Sequence, residues 1–341
     1  MLIQYQVMKE RSRVGVSAAE FCRAGALLFL MIFLPGCVEE GMEAQTKSEY
    51  LTTRHSVRDV VSHPAFKGFG ELMLPWDDNS SYYDTRLSQV DSLMPYHGHV
   101  NADEVVGALN HLIDEAGAGR TIFYDFYTER QKREDPSKKY AGLFFYRGKP
   151  GAPFAVVCPG GGFSYVGSLH EGFPLAREIS KKGLNAFVIR YRVGEQRATE
   201  DLAAALAYVF RNAGALGVGT RGYSLWGGSA GARMVGNIAL RGVSGYGGGD
   251  LPRPAVVVIA YIGQSTYSND FPPTFMTVSA DDPIANVATV ERRVRNLRDA
   301  GIEVEYRGYR NAGHGFGLGV GTDAEGWVGH AVEFWGKYLP R

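Results

Sequence analysis

One serine of this sequence lies in a short motif that suits a covalent nucleophile. Ser229 is the centre of Gly227-Gly228-Ser229-Ala230-Gly231, which has the form Gly-x-Ser-x-Gly. In such a motif a strand turns sharply into a helix, the serine hydroxyl is exposed at the tip, and close backbone contacts require small outer residues. The pentapeptide alone is equally compatible with a glycine-rich turn that contains a serine by chance. The choice between the two interpretations therefore depends on the rest of the chain.

A serine hydroxyl becomes a good nucleophile when a base accepts its proton and an acid orients that base. Candidates for both roles follow Ser229 in the chain order Ser, Asp, His that is typical of this kind of turn. His314 lies in a loop between two glycines, directly after a predicted strand, whereas His330 falls inside the last predicted helix. We therefore predict that His314 is the base.

Two adjacent acids compete for the third role. Asp281 and Asp282 both follow a predicted strand at 275–279, so both lie at the strand end where catalytic loops belong. Asp282 precedes Pro283, which restricts the backbone immediately after it. We favour Asp282 as the acid that orients His314, and Asp281 is the alternative.

Acyl transfer also needs backbone N–H groups that point at the oxygen that becomes negative. The N–H of Ala230, next to the nucleophile, is one predicted donor. A glycine-rich loop follows the predicted strand at 154–158, and its Gly161 and Gly162 are the other predicted oxyanion donors. A phosphate-binding loop is the competing interpretation, but no Lys-Ser/Thr pair follows and the spacing fits neither nucleotide fingerprint. No cluster of metal ligands is evident in the sequence, and we expect neither a metal nor a cofactor.

Strands and helices that alternate along the chain would position these residues. Strands are predicted at 121–124, 143–146, 154–158, 186–191, 223–226, 255–261, 275–279 and 304–309. Helices are predicted at 103–115, 172–182, 199–213, 230–240, 287–300 and 324–338, with a charged loop at 131–139. This alternation predicts an α/β fold, with a mostly parallel sheet and helices on both of its faces.

The assembled motifs resemble those of the α/β-hydrolase serine esterases, especially the bacterial branch of acetyl esterases and acetyl xylan esterases. The matching stretches are Cys158-Pro159-Gly160-Gly161-Gly162-Phe163, His170-Glu171-Gly172, Tyr191-Arg192, Gly228-Ser229-Ala230-Gly231, Ala280-Asp281-Asp282-Pro283 and Gly313-His314-Gly315-Phe316-Gly317. The resemblance implies the α/β-hydrolase fold and assigns the second acid of the pair, Asp282, to the triad. It also implies hydrolysis of short acyl esters, acetyl above all, on plant-type polysaccharides or their oligosaccharides.

The same resemblance concerns the residues around the nucleophile. Relatives often carry a larger residue where this chain has Gly228, so we expect room beside Ser229 at that position. Phe163, Tyr165 and Glu171 are candidates for the wall of the substrate pocket. Packing and helix-start roles are equally open for these residues.

The first residues have the pattern of an export signal. Basic residues precede an uncharged apolar run at 24–34, which is too short to span a bilayer comfortably. Leu34-Pro35-Gly36-Cys37 then resembles the bacterial lipobox, whose cysteine is lipidated and becomes the first mature residue. An ordinary signal peptide with an incidental Cys37 is the alternative. We expect a lipoprotein-type signal over residues 1–36 and an exported, lipid-anchored bacterial envelope protein, in the periplasm or on the cell surface.

The remaining chain divides into three predicted regions. Residues 37–62 are polar and mixed, and we expect a tether there. An aromatic-rich stretch and a predicted helix follow, so we expect an N-terminal extension over residues 63–120. This extension either covers the mouth of the active site or packs on the surface. The α/β-hydrolase catalytic domain is expected over residues 121–341.

Composition and charge limit the partners. Apolar residues make up 45% of the chain and charged residues 21%, as in globular proteins with a large core. The formal net charge is zero and no basic stripe is present, so nucleic acid is not an expected partner. Cys22 would leave with the signal and Cys37 would carry lipid, so Cys158 has no disulfide partner and is expected in the core. The expected partners are a small-molecule or oligosaccharide ester and, through the lipid anchor only, a membrane.

Two other functions remain open. A peptidase of the prolyl-oligopeptidase type shares the catalytic fold, but it usually carries a large propeller domain whose repeats do not fit before residue 121. A catalytically inactive surface binding protein on a hydrolase scaffold is the other alternative. The presence of Ser229, Asp282 and His314 disfavours it, since the loss of one of these residues is the usual mark of an inactive relative.

Overall fold

The computed structural model describes residues 49–77, 80–264 and 266–340. The predicted signal, Cys37 and the first part of the predicted tether lie outside the described residues. Within the described ranges, no helix is both long enough and apolar enough to cross a membrane.

A single twisted sheet forms the centre of the described part of the chain. Its strands are β1 (Phe123–Tyr124), β2 (Gly142–Tyr146), β3 (Pro153–Cys158), β4 (Asn185–Arg190), β5 (Gly219–Gly228), β6 (Val256–Ala260), β7 (Thr274–Ser279) and β8 (Val304–Tyr309). Their order is β1-β2-β4-β3-β5-β6-β7-β8. All pairs from β4 to β8 are parallel, whereas β2 is antiparallel to both β1 and β4.

The central strands are largely apolar because the sheet is covered on both faces. Every residue of β4, β6 and β7 is buried; β6 is wholly apolar, and β4 is apolar between Asn185 and Arg190. Cys158 ends β3 with a fully buried side chain, which confirms its predicted place in the core.

The α-helices of the described ranges lie before, between and after the strands. They are α1 (Val57–Ser62), α2 (Ala102–Gly117), α3 (Glu129–Glu134), α4 (Phe173–Lys181), α5 (Glu195–Arg211), α6 (Ala213–Leu216), α7 (Ala230–Arg241), α8 (Val287–Asp299) and α9 (Trp327–Gly336). Helix α4 packs on β4 and α7 packs on β5 and β6. The predicted mostly parallel sheet with flanking helices is therefore confirmed.

The predicted charged loop at 131–139 is wrong. Helix α3 occupies its first part because Thr128 and Gln131 form a capping box: the Thr128 hydroxyl accepts from Gln131 N, and Gln131 Oε1 accepts from Thr128 N. Pro136 then begins a 3₁₀ turn. The first free N–H of this turn, that of Ser137, donates to the Asp135 side chain. A proline is tolerated at the first turn of a helix, where its missing N–H costs nothing.

The predicted tether is also wrong over its last residues. The side chains of Leu51, Val57 and Val60 are buried in the core. Leu51 N donates to the Asn110 side chain, and the Asn110 amide donates back to Leu51 O, both at 2.9 Å. These contacts with α2 order the chain well before residue 62. We call residues 49–77 and 80–120 the N-terminal segment.

The N-terminal segment shares one hydrophobic core with the sheet. Phe69 stacks on Phe123 of β1, with ring centroids 4.8 Å apart, and the Tyr146 hydroxyl of β2 donates to Ala108 O of α2 at 3.1 Å. Burial of such aromatic surface is a large favourable term. The segment is therefore an integral part of the fold.

Candidate active site

Ser229 lies at the sharp turn between β5, which ends at Gly228, and α7, which begins at Ala230. Its backbone has φ +49° and ψ −114°, a conformation that is costly for a residue with a side chain and that concentrates at functional sites. Two hydrogen bonds hold the turn: Ser229 N donates to Ala260 O at 3.1 Å, and Arg233 N donates to Ser229 O at 3.2 Å. This is the strand–turn–helix geometry that the motif predicts.

The glycines on either side allow the backbone to approach itself closely. A Cβ atom on Gly227 would lie 2.4 Å from the backbone of Gly231, and one on Gly231 would lie 1.8 Å from Cys158 O. Backbone atoms cannot yield to such contacts without moving β3 or α7. The outer positions of the motif therefore require glycine in this fold.

We expect Gly231→Ala to destabilise the protein by at least about 3 kcal/mol, because the added methyl would overlap a main-chain carbonyl. Gly329→Ala is the matched control, since that glycine lies in α9 with nothing within 4 Å of its Cβ position. The control should gain about 0.5 to 1 kcal/mol from better helix propensity. Urea unfolding of both variants measures the difference, and equal stabilities would contradict the close packing at Gly231.

The structure brings His314 and Asp282 together with Ser229. His314 Nε2 lies 2.9 Å from Ser229 Oγ, and His314 Nδ1 lies 2.8 Å from Asp282 Oδ2 and 3.0 Å from Oδ1. The side chains of His314 and Asp282 are 4% and 0% exposed. When His314 Nδ1–H donates to the Asp282 carboxylate, Nε2 carries no proton and can accept that of the serine. This is the arrangement of a nucleophile, a base and an orienting acid.

Two backbone donors hold the Asp282 carboxylate in place. Its Oδ1 accepts from Ile284 N at 2.8 Å and from Ala285 N at 2.7 Å. Hydrogen bonds from main-chain N–H groups fix the carboxylate orientation and stabilise its charge. Asp282 therefore presents Oδ2 to His314 in a preset geometry.

Asp281, the alternative acid, has a different set of contacts. Its Oδ1 accepts from Ser279 Oγ at 2.5 Å and from Gly313 N at 2.8 Å, at the exposed surface. The hydrogen bond from Ser279 lowers the pKa of Asp281 below its ordinary value. This residue braces the loop that carries His314, whereas Asp282 contacts His314 itself. His330 lies on α9 with its side chain 44% exposed.

The glycine turn (residues 160–162) lies beside Ser229 at the end of β3. Gly161 and Gly162 have φ of +131° and +61°, values that favour glycine. A Cβ on Gly161 would lie 2.2 Å from Tyr165 O, and one on Gly162 would lie 2.9 Å from the Tyr96 ring. Gly160 N donates to Glu171 Oε2 at 2.6 Å, so its N–H is already used. Gly162 and Ala230 line the cavity next to Ser229.

A cavity of about 440 Å³ opens at Ser229 and His314. Its wall includes Phe163, Arg233, Tyr261, Ile262, Ile284 and Thr289. Of the three wall candidates from the sequence, Phe163 lines this cavity, whereas Tyr165 and Glu171 are buried at 0% and 2% exposure. Among the described residues no group of His, Cys, Asp or Glu is arranged to hold a metal ion.

The expected room beside Gly228 is filled. A Cβ at this position would lie 2.6 Å from Tyr261 Oη and 2.9 Å from Glu171 Oε2. Sequence reasoning did not single out Tyr261, which directly follows β6 at φ +42°. Its position after the carboxyl end of a parallel strand was an available signal. Tyr261 and Glu171 therefore occupy the space that a larger residue at position 228 would need.

No protein-family model and no curated protein matches the sequence. Among solved structures, the chain is similar to an acetyl ester-xyloside bifunctional hydrolase from Caldicellulosiruptor lactoaceticus, with a TM-score of 0.54 and 18% identity over 63% of this chain and 95% of that one. It also matches MGS-M1, an α/β-hydrolase enzyme from a Medee basin deep-sea metagenome library (TM-score 0.49, 24% identity, 58% and 92% covered). A thermophilic esterase from Thermogutta terrifontis matches with a TM-score of 0.49 and 19% identity over 59% and 92%. The likeness to the first structure, with the sheet described above, confirms the predicted α/β-hydrolase fold.

Proposed function

We propose that this chain of α/β-hydrolase fold is a serine hydrolase that cleaves short-chain acyl esters, with acetyl esters of carbohydrates as the substrate class. The observation that carries the proposal is the hydrogen-bonded series from Ser229 Oγ through His314 to the buried Asp282. A serine at a strained turn, a base within reach and an oriented acid are the requirements of nucleophilic acyl transfer.

The proposed reaction has two stages. Ser229 Oγ attacks the ester carbonyl carbon while His314 Nε2 accepts the serine proton. The bond from the carbonyl carbon to the alcohol oxygen then breaks, and His314 returns the proton to the departing alcohol. A water molecule then attacks the carbonyl carbon of the acyl-enzyme while His314 Nε2 accepts its proton. The bond from that carbon to Ser229 Oγ breaks, the acid leaves, and His314 returns the proton to Oγ. Asp282 orients His314 and stabilises its positive charge in both stages.

The negative oxygen of each tetrahedral intermediate needs preset donors. We assign this role to the N–H groups of Gly161, Gly162 and Ala230, which belong to the turn and the helix start beside Ser229. Main-chain donors of this kind need no reorganisation when charge develops, so they stabilise the transition state more than water does.

The substrate class rests on two further considerations. The resemblance of the motifs favours acetyl esters, and the structural neighbour with the TM-score of 0.54 is described as acting on acetyl esters and xylosides. Export and lipid attachment at Cys37 remain part of the proposal and depend on the sequence alone.

We expect the protein without residues 1–36 to hydrolyse p-nitrophenyl acetate with a kcat/KM about tenfold higher than for the butyrate, because a site shaped for an acetyl group discriminates against added methylenes by about this factor. Initial rates over the series acetate, butyrate and octanoate measure this preference. A preference for butyrate or octanoate would contradict the short-chain assignment. Cleavage of prolyl peptides without any ester hydrolysis would instead favour the peptidase.

A further inference from the structure

A buried carboxylate lies directly behind the nucleophile and has no part in the reaction described above. The side chain of Glu171 is 1% exposed. Its Oε2 accepts from Gly160 N at 2.6 Å, and its Oε1 accepts from the Tyr261 hydroxyl at 2.5 Å. A Cβ on Gly160 would lie 2.7 Å from Glu171 Oε2 and 3.1 Å from Ser229 Cβ. Gly160 of the glycine turn therefore lies between the Glu171 carboxylate and the nucleophile and is in close contact with both.

His97 of the N-terminal segment completes the surroundings of this carboxylate. Its Nε2 lies 3.2 Å from Glu171 Oε2, and its side chain is 2% exposed. His97 Nδ1 lies 2.8 Å from the Tyr165 hydroxyl oxygen, which also accepts from Tyr96 N at 3.0 Å. The Tyr165 hydroxyl can therefore donate its hydrogen bond to His97 Nδ1. The ring proton of His97 then lies on Nε2, which donates to Glu171. This assignment satisfies every group in the series.

The hydrogen bonds to the Glu171 carboxylate keep it charged although it is buried. Burial by itself would raise the pKa of Glu171, but the contacts with His97 and the Tyr261 hydroxyl outweigh burial and lower it. A buried charge is stable only when hydrogen bonds replace its lost hydration. Loss of the His97 donor would leave part of this charge unsatisfied, next to Gly160.

The groups that are hydrogen-bonded to Glu171, or next to His97 in the chain, contact two parts of the proposed reaction centre: the oxyanion donors and the base. On one side, Gly160 begins the glycine turn that carries the proposed oxyanion donors. On the other side, the Tyr261 ring meets His314 edge-on, with centroids 5.0 Å apart, and lines the cavity. The chain next to His97 also contacts the base directly, because Gly98 N donates to His314 O at 2.9 Å.

We propose that Glu171 and His97 form a buried positioning pair, which holds the glycine turn and Tyr261 in the geometry that the transition state needs. The N-terminal segment then supports the active site directly, since it supplies His97 and the hydrogen bond from Gly98 N to His314 O. This inference rests on the proposed serine-hydrolase function. It concerns residues that act through others, because Glu171 and His97 do not touch the reacting atoms.

The test compares His97→Ala with His97→Gln, whose amide can donate to Glu171 and accept from Tyr165. We expect His97→Ala to lower kcat for p-nitrophenyl acetate by about 10- to 100-fold, the usual effect of removing a supporting hydrogen bond, while KM changes by less than about twofold. His97→Gln should recover at least half of that loss on a logarithmic scale. The affinity for an alkyl trifluoromethyl ketone, which forms a tetrahedral oxyanion with the serine, should fall in His97→Ala by the same factor as kcat/KM.

Two further variants distinguish an effect on the geometry of the active site from a general loss of stability. Glu171→Gln removes the charge while keeping the shape, and it should also lower kcat with little change in KM. His111→Ala is the matched control, because His111 lies in α2 of the same segment and stacks on Tyr146, away from Ser229. It should keep wild-type kcat even if the melting temperature falls.

Several outcomes would overturn the positioning pair. One is a wild-type kcat in folded His97→Ala and Glu171→Gln, and another is an equal loss of kcat in His111→Ala. Failure of all the His97 and Glu171 variants to fold would also contradict it, because the pair would then serve the fold as a whole. An inactive wild type, or an active Ser229→Ala, would instead overturn the proposed function.

Discussion

Replacement of Ser229 by alanine should lower kcat/KM for p-nitrophenyl acetate by about 10⁴-fold or more. The reason is that Oγ is the atom proposed to form the acyl-enzyme, and the side chains around it cannot supply another nucleophile at that point. Alanine is small enough for the turn, and its backbone at φ +49° is no more strained than that of serine. The variant should therefore fold, and the remaining rate should come from His314 acting on water and from the oxyanion donors.

Ser224→Ala is the matched control for this experiment. Ser224 lies in the same strand, β5, where its fully buried hydroxyl oxygen accepts from Trp226 Nε1 at 2.8 Å. Its loss should cost about 1 to 3 kcal/mol of stability, because the buried Trp226 Nε1–H loses its acceptor, and should leave kcat/KM within about twofold of the wild type. Steady-state rates and thermal unfolding of both variants check the two expectations. Wild-type activity in Ser229→Ala would show that the nucleophile has been assigned wrongly.

Asp282→Asn should lower kcat/KM by about 10⁴-fold, although it changes only one atom. Asp282 Oδ1 accepts from Ile284 N and Ala285 N, so the amide oxygen of asparagine must occupy that position. The amide NH₂ then faces His314 Nδ1, where Oδ2 now lies at 2.8 Å. An NH₂ group there forces His314 to carry its proton on Nε2, so Nε2 can no longer accept the proton of Ser229.

Asp281→Asn is the neighbouring control. Asp281 accepts from Ser279 Oγ and Gly313 N and lies at the surface, so an asparagine oxygen can replace most of its role. We expect less than about a tenfold loss of kcat/KM from a slight shift of the His314 loop. Parallel steady-state kinetics of the two variants decide between the acids. A large loss in Asp281→Asn with a mild one in Asp282→Asn would reverse the assignment.

Local sequence signals predicted most of the elements because each signal acts over a few residues. The apolar runs of β4 and β6 and the amphipathic pattern of α7 need no distant partner to be recognised. The errors arose where a local signal was misread or absent. The charged composition of residues 131–139 favours a loop although a helix and a 3₁₀ turn lie there, and the polar composition near residue 51 conceals an anchoring contact with Asn110.

The sequence by itself determined the order of Ser229, Asp282 and His314 along the chain and their places after strand ends. In a parallel sheet, that order and those places are enough to bring such side chains to one edge. Only the tertiary structure decided which of two adjacent acids contacts His314, because Asp281 and Asp282 follow the same strand and differ in the groups that their side chains meet.

Only the tertiary structure, too, revealed the surroundings of the nucleophile. A glycine at position 228 predicts free space beside Ser229, but Tyr261 and Glu171 fill that space in the fold. His97 of the N-terminal segment contacts Glu171. These side chains come from distant parts of the chain, and their contacts depend on how whole elements pack. Close packing is a property of the complete core, so no local pattern of residues could specify it.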